Sequence, residues 1–188
     1  MIPGILIVTC AFLNSCAVHN VNVNSFPGRN FERNAKITVL EFTDAVTRRS
    51  NSMFNLTFPQ TPGADFADVL SIALSQVGKF EVYERNQIGM ILKEQSFQMS
   101  GAVDDLKAID VGKLSGVDYV LIGRITDAWY GSDGITYQSA VEGSFKVIKV
   151  QTGQSYAGGT FSALKFTTEI TQTMLEIAND IADKIGNK

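Results

Sequence analysis

The near-continuous apolar run Asp118-Tyr119-Val120-Leu121-Ile122-Gly123-Arg124-Ile125 constrains this chain more than any other stretch. A strand that is apolar on both faces belongs inside a sheet covered on both sides, so helices must flank it. The chain supplies them. Phe66, Val69, Leu70, Ala73, Leu74 and Val77 fall at i, i+3, i+4, i+7, i+8 and i+11, a full helical stripe. Gly63 leads into this helix and Gly78 stands where it should stop. A closing helix over about 167–185 carries Ile170, Met174, Ile177, Ala178, Ile181 and Ile185 on one stripe.

Between these landmarks the pattern predicts further elements. Lys36–Phe42 is β-branched and of strand length, and 44–62, punctuated by Pro59 and Pro62, reads as a long loop. Phe80-Glu81-Val82-Tyr83 is a short strand, followed by a helix over about 85–95 with Ile88, Ile91 and Leu92 on one face. Asp104-Asp105 can cap another helix, marked by Leu106, Ile109 and Leu114. After Ile125 the pattern changes to hairpins, with a turn over 129–134 in which Asp133-Gly134 is the strongest signal. Residues 135–150 alternate, 151–154 turn the chain, and 156–161 form another strand. The sum is a single α/β sandwich domain, a mixed β-sheet with helices packed on it, and no internal repeat.

The N-terminus has a different character. Residues 2–13, IPGILIVTCAFL, form an uncharged apolar run that is too short for a permanent bilayer helix but has the length of a signal-peptide core. Leu13-Asn14-Ser15-Cys16 follows and resembles the bacterial lipobox. That resemblance implies cleavage between Ser15 and Cys16 and lipidation of Cys16, with several acyl chains on one residue making a firm anchor. Ala17, in place of an aspartate, points to the outer membrane under the enterobacterial sorting rule. The run carries no Lys or Arg, so either the signal is atypical or the true start lies upstream. The competing reading is a hydrophobic first strand with Cys16 buried. Residues 17–34, rich in Asn and containing Pro27-Gly28, are expected to be a tether holding the domain off the membrane. The alternative within it is a short edge strand built on Val18, Val21 and Val23. The expected division is therefore signal peptide 1–15, lipidated N-terminus and tether 16–34, and folded domain 35–188.

Composition narrows the function. The net charge of -3 offers no basic footprint, which argues against nucleic-acid binding. Both cysteines, Cys10 and Cys16, precede the domain, and His19 is the sole histidine, so no metal site is expected. Gly131, Gly134, Gly158 and Gly159 lack phosphate-loop or dinucleotide spacing, so no cofactor is expected. No nucleophile elbow is present. Glu84-Arg85 reads as a strand-end ion pair, Glu94 and Gln95 as helix-surface contacts, and Asp104-Asp105 as a cap. No catalytic residue is assigned, and the chain is not expected to be an enzyme.

Three stretches in order, Phe80–Arg85 with Ile91–Gln95 and Ser100-Gly101, Gly112–Gly123, and Val147–Gly153, resemble the curli-assembly CsgG family. Together with the lipobox, the resemblance implies a lipoprotein of the cell envelope that faces the periplasm, works with other envelope proteins and can self-associate into a ring. The best-known members export curli subunits, each protomer giving two β-hairpins to a transmembrane barrel. A spanning strand takes about 9–11 residues. Residues 125–150 thus supply one hairpin at most, and no room for a second remains before the last helix. On the strand after the turn, Gln138, Glu142 and Lys146 share one face, while Tyr137, Ser139, Val141, Gly143 and Phe145 on the other are only patchily apolar. The expectation is a scaffold or interaction module without a complete barrel. The alternative is a lipoprotein like LpoB, which binds and regulates a peptidoglycan synthase.

Overall fold

The computed structural model describes residues 18–25, 30–47, 55–84, 105–167 and 169–186. The strands are β1 (Val18–Ser25), β2 (Ala35–Val39), β3 (Thr43–Asp44), β4 (Asn55–Thr57), β5 (Phe80–Tyr83), β6 (Tyr119–Ser132), β7 (Tyr137–Lys149) and β8 (Gln154–Lys165). The helices among the described residues are α1 (Pro62–Val77), α2 (Asp105–Ser115) and α3 (Ile170–Gly186). The eight strands among the described residues form one mixed sheet in the order β1-β8-β7-β6-β2-β5, with β3 and β4 also paired to β6. Strands β6, β7, β8 and β1 are successively antiparallel, while β2 runs parallel to both β6 and β5.

Both faces of the sheet are covered where the apolar run of β6 begins, while further along the α2 side Arg124, Thr126 and Glu142 are exposed. Tyr119, Leu121 and Ile125 enter the larger core with α1 and α3, where Phe66, Leu70 and Leu74 meet Met174, Ile177 and Ile181. Val120 and Ile122 point to the opposite face and pack with Ala108 and Val111 of α2, Leu40 and Ile148. Each buried Val, Leu, Ile, Phe or Met among them contributes roughly 1.5–3 kcal/mol by leaving water. The α/β sandwich with a mixed sheet is the fold expected from the sequence.

The principal difference lies in the expected tether. β1 pairs with β8 along its whole length, from Val18 opposite Leu164 to Ser25 opposite Ala157. Val21 is buried in the main core, and Phe31 is buried further along. The edge-strand alternative therefore describes this stretch: the sheet edge offers backbone partners that an Asn-rich segment cannot find alone. Strand β1 thus joins the sheet ahead of residue 35.

Other boundaries also move. β6 continues through Trp129 to Ser132, because β4 on one side and β7 on the other supply partners, so the turn lies at 133–136. The expected 44–62 loop contains β4, and β2 ends at Val39, short of Phe42. β8 extends to Lys165, beyond the expected 161. The expected helix over 85–95 lies outside the described residues. The signal segment, Ser15 and Cys16 lie outside them as well.

Candidate functional site

Of the stretches that resemble the CsgG family, the described parts, 80–84, 112–123 and 147–153, meet toward one end of the sheet, where the contacts they make are structural. Gly112 of α2 sits against the sheet so closely that an added Cβ would lie 2.8 Å from Val120 and nearer still to Val150. The Asp118 side chain accepts from the Lys36 amide at 2.8 Å, and its carbonyl accepts from the Val150 amide at 2.9 Å. One aspartate thereby aligns the starts of β2 and β6 with the end of β7.

Beside it lies a cluster that sequence reading missed. The Tyr119 hydroxyl donates to Glu32, and Lys149 Nζ donates to the same carboxylate at 2.7 Å. Phe31 sits edge-on to Phe80 and Tyr119, at ring-centroid separations of 5.3 and 5.0 Å, and 5.6 Å from Tyr156. Lys149 lies 5.3 Å from the Tyr156 ring centroid. The hydrogen bonds from Lys149 and then Tyr119 hold the Glu32 pKa down at about 2. Burial, reinforced by the Glu32 hydrogen bond, pushes the Tyr119 phenol up, and Glu32 raises the Lys149 ammonium. The cluster latches Phe31 and Glu32, just ahead of β2, onto the sheet. The available signal was Phe31, an aromatic in an otherwise polar stretch, but its partners are far away in sequence.

The remaining candidates are dispersed. Glu84 is exposed just after β5, while Arg85, Glu94, Gln95 and Asp104 lie outside the described residues. Asp105 is the first residue of α2 and pairs with Lys146 at 2.6 Å, linking helix to sheet. His19, expected in a tether, stands on β1 and meets Asp180 of α3 at 3.4 Å. Among the described residues no group of three or more His, Cys, Asp or Glu could hold a metal.

The opposite end of the sheet carries exposed apolar side chains. The β6–β7 turn is built by Asp133, whose Oδ1 accepts from the amides of Ile135 at 2.8 Å and Thr136 at 2.6 Å. These bonds, that of Thr136 foremost, lower the Asp133 pKa. Gly134 supplies the positive φ of 91° that the turn needs. Ile135 is thereby thrust into solvent at 89% exposure, with Tyr137 at 57% beside it. Phe166, 50% exposed, follows the last residue of β8, Lys165, which pairs with Ser139. The hairpin behind the tip is firmly held. Ser139, Val141 and Phe145 of β7 are buried on the α3 side of the sheet, and Ser139 Oγ lies 2.6 Å from Thr173 Oγ1.

None of the described helices is long and apolar enough to cross a membrane. No curated protein matches the sequence significantly. Solved structures with the same fold include the PelC dodecamer from Paraburkholderia phytofirmans, at a TM-score of 0.63 and 16% identity over 90% of this chain and 98% of that one. Lipoprotein GNA1162 from Neisseria meningitidis matches at 0.53 and 15% identity, over 82% of this chain and 99% of that one. The C-terminal domain of LpoB from Salmonella enterica matches at 0.50 and 18% identity, over 70% and 84%. The family model described as the curli production assembly/transport component CsgG matches residues 28–134, more than half of the sequence, spanning Phe31, Glu32 and Tyr119 of the latch, α1, α2 and the whole of β6. This chain belongs to the CsgG family.

Proposed function

We propose that the protein is a lipoprotein of the bacterial envelope, cleaved before Cys16, anchored through acyl chains on that residue, and facing the periplasm at the outer membrane. It acts as a non-enzymatic scaffold that binds envelope proteins and self-associates, without contributing a complete transmembrane barrel. The observation that carries this reading is the burial of β7. Its Ser139–Val141–Phe145 face, which would have to meet lipid in a barrel, packs on the α3 side of the sheet. A lipid-facing strand presents an uninterrupted apolar band instead. The family match and the dodecameric relative support an assembly role.

Intact mass and detergent partition test the anchor. Wild-type protein carries acyl chains and enters the detergent phase, whereas Cys16→Ala does neither; a mature wild-type mass without added acyl chains refutes the anchor. Planar-bilayer recording tests the barrel, and reproducible discrete conductance abolished by deleting residues 129–140 would restore an exporter. The second reading, an LpoB-type module binding a peptidoglycan synthase, is favoured by the shared fold of the LpoB C-terminal domain. Analytical ultracentrifugation separates the two: a ring supports the scaffold, a monomer the LpoB-type module.

A further inference from the structure

We propose that the tip of the β6–β7 hairpin is a shallow membrane-docking surface. It seats Ile135, Tyr137 and Phe166 in the same lipid leaflet that holds the acyl chains of Cys16. This rests on the anchor reading above and adds what that anchor does to the domain.

The sheet register carries the inference. Val18 faces Leu164 on β8, Leu164 faces Ala140 on β7, and Ala140 faces Trp129 on β6. These four residues form one row across the sheet. From β6 to β1 the strands alternate in direction, so the chain going back from Val18 toward Cys16 heads the same way as β6 going forward to the tip. Two residues of chain reach at most about 7 Å. A lipidated Cys16 therefore holds this row within about one residue pair of the bilayer surface. β6 continues past the row by Tyr130, Gly131 and Ser132, which at strand rise is about 10 Å. The tip consequently extends beyond the anchor residue's reach, toward the lipid. Only Ala17 separates Cys16 from Val18 in the sequence, so the anchor leaves the domain little chain with which to stand away.

The tip has the chemistry for that position. Its most exposed residue is aliphatic, Ile135, and the aromatic residues Tyr137 and Phe166 flank it, with half-buried Trp129 and Tyr130 set behind. Aliphatic residues outermost, with amphipathic rings behind them at the headgroup level, is the order that a membrane interface favours. The Asp133 carboxylate is occupied by the turn amides, so its charge stays with the backbone near the headgroups. Ser132 thus passes the anchor's longest reach by about 3 Å and the 133–136 turn adds to that, a depth that stays interfacial. It falls far short of the roughly 30 Å needed to span the hydrocarbon core.

The test uses the full, membrane-processed chain carrying Ile135→Cys or, at the other end of the sheet, Thr152→Cys, each labelled with an environment-sensitive fluorophore. Both sites are exposed, so the fold tolerates the label. Intact mass first establishes whether acyl chains are present; their absence sinks the anchor and this proposal together. Acylated protein is then reconstituted into phosphatidylethanolamine–phosphatidylglycerol vesicles containing lipids brominated at different depths. Docking predicts severalfold stronger quenching at position 135 than at 152, greatest for bromines near the headgroups. Acylated protein with no quenching at 135 overturns the docking tip and leaves the anchor standing. So does strongest quenching by bromines at the bilayer centre, which means a spanning hairpin. Shielding of 135 from an aqueous quencher without any bromolipid quenching means a protein partner, and also overturns it.

Discussion

Replacing Gly112 by alanine sets two effects of known sign against each other. In an open helix the change gains about 1 kcal/mol, because glycine is the poorer helix former. Gly112 is not open. The new Cβ would lie 2.8 Å from a γ-methyl of Val120 and closer to one of Val150, both buried in the cluster beneath α2. Valine has little rotamer freedom with which to retreat, and its neighbours Leu40, Val117 and Ile148 are themselves packed. Overpacking of this kind costs about 1–3 kcal/mol. With collisions below 3 Å at two valines, the steric cost falls in the upper part of that range, about 2–3 kcal/mol, so the net expectation is destabilisation by about 1–2 kcal/mol. Urea denaturation followed by circular dichroism reads this as a lower midpoint with an unchanged slope. Adding Val150→Ala removes one of the colliding methyls, so the double variant should lose less than the sum of the two single losses. A Gly112→Ala protein as stable as wild type, or more so, would refute the close approach of α2 to the sheet.

Leu70→Ala in the fully buried stripe of α1 should cost about 2–5 kcal/mol in the same assay, while Asp68→Ala, exposed on the same helix, costs far less; equal midpoints would mean the buried face is misassigned. Glu32→Gln tests the latch through pH. The folded-state pKa of Glu32 is depressed from 4.5 to about 2, so its contribution is present above 4.5 and lost as pH falls toward 2. Because the carboxylate is partly exposed, the stability gap between wild type and Glu32→Gln should be about 1 kcal/mol at neutral pH. That gap should close in acid, and one independent of pH would remove the charged latch.

What was legible in the sequence is what local patterning determines. The stripes of α1 and α3 and the two-faced apolar run of β6 fixed the α/β class, since each must bury its own surface whatever its partner. The close spacing of Gly112, Gly116 and Asp118 marked the family for the same reason: these residues shape a helix end and the strand that follows. The rest depended on partners far away in the chain. Residues 18–25 have a Val-Asn alternation that suits either a tether or an edge strand, and only the free edge of β8 settles the choice. The length of β6 depends on β4 and β7, and α1 has no side-chain cap of its own, its Gly63 amide donating instead to Asp44 from β3 at 2.6 Å. Glu32 meets Tyr119 across 87 positions, and Lys184 meets the Val21 carbonyl across 163. Such bonds have no periodicity to betray them, because they form only after the sheet has brought the two segments together. The end of the sheet on which the exposed hairpin tip and the start of β1 lie together was likewise decided by strand order and register alone.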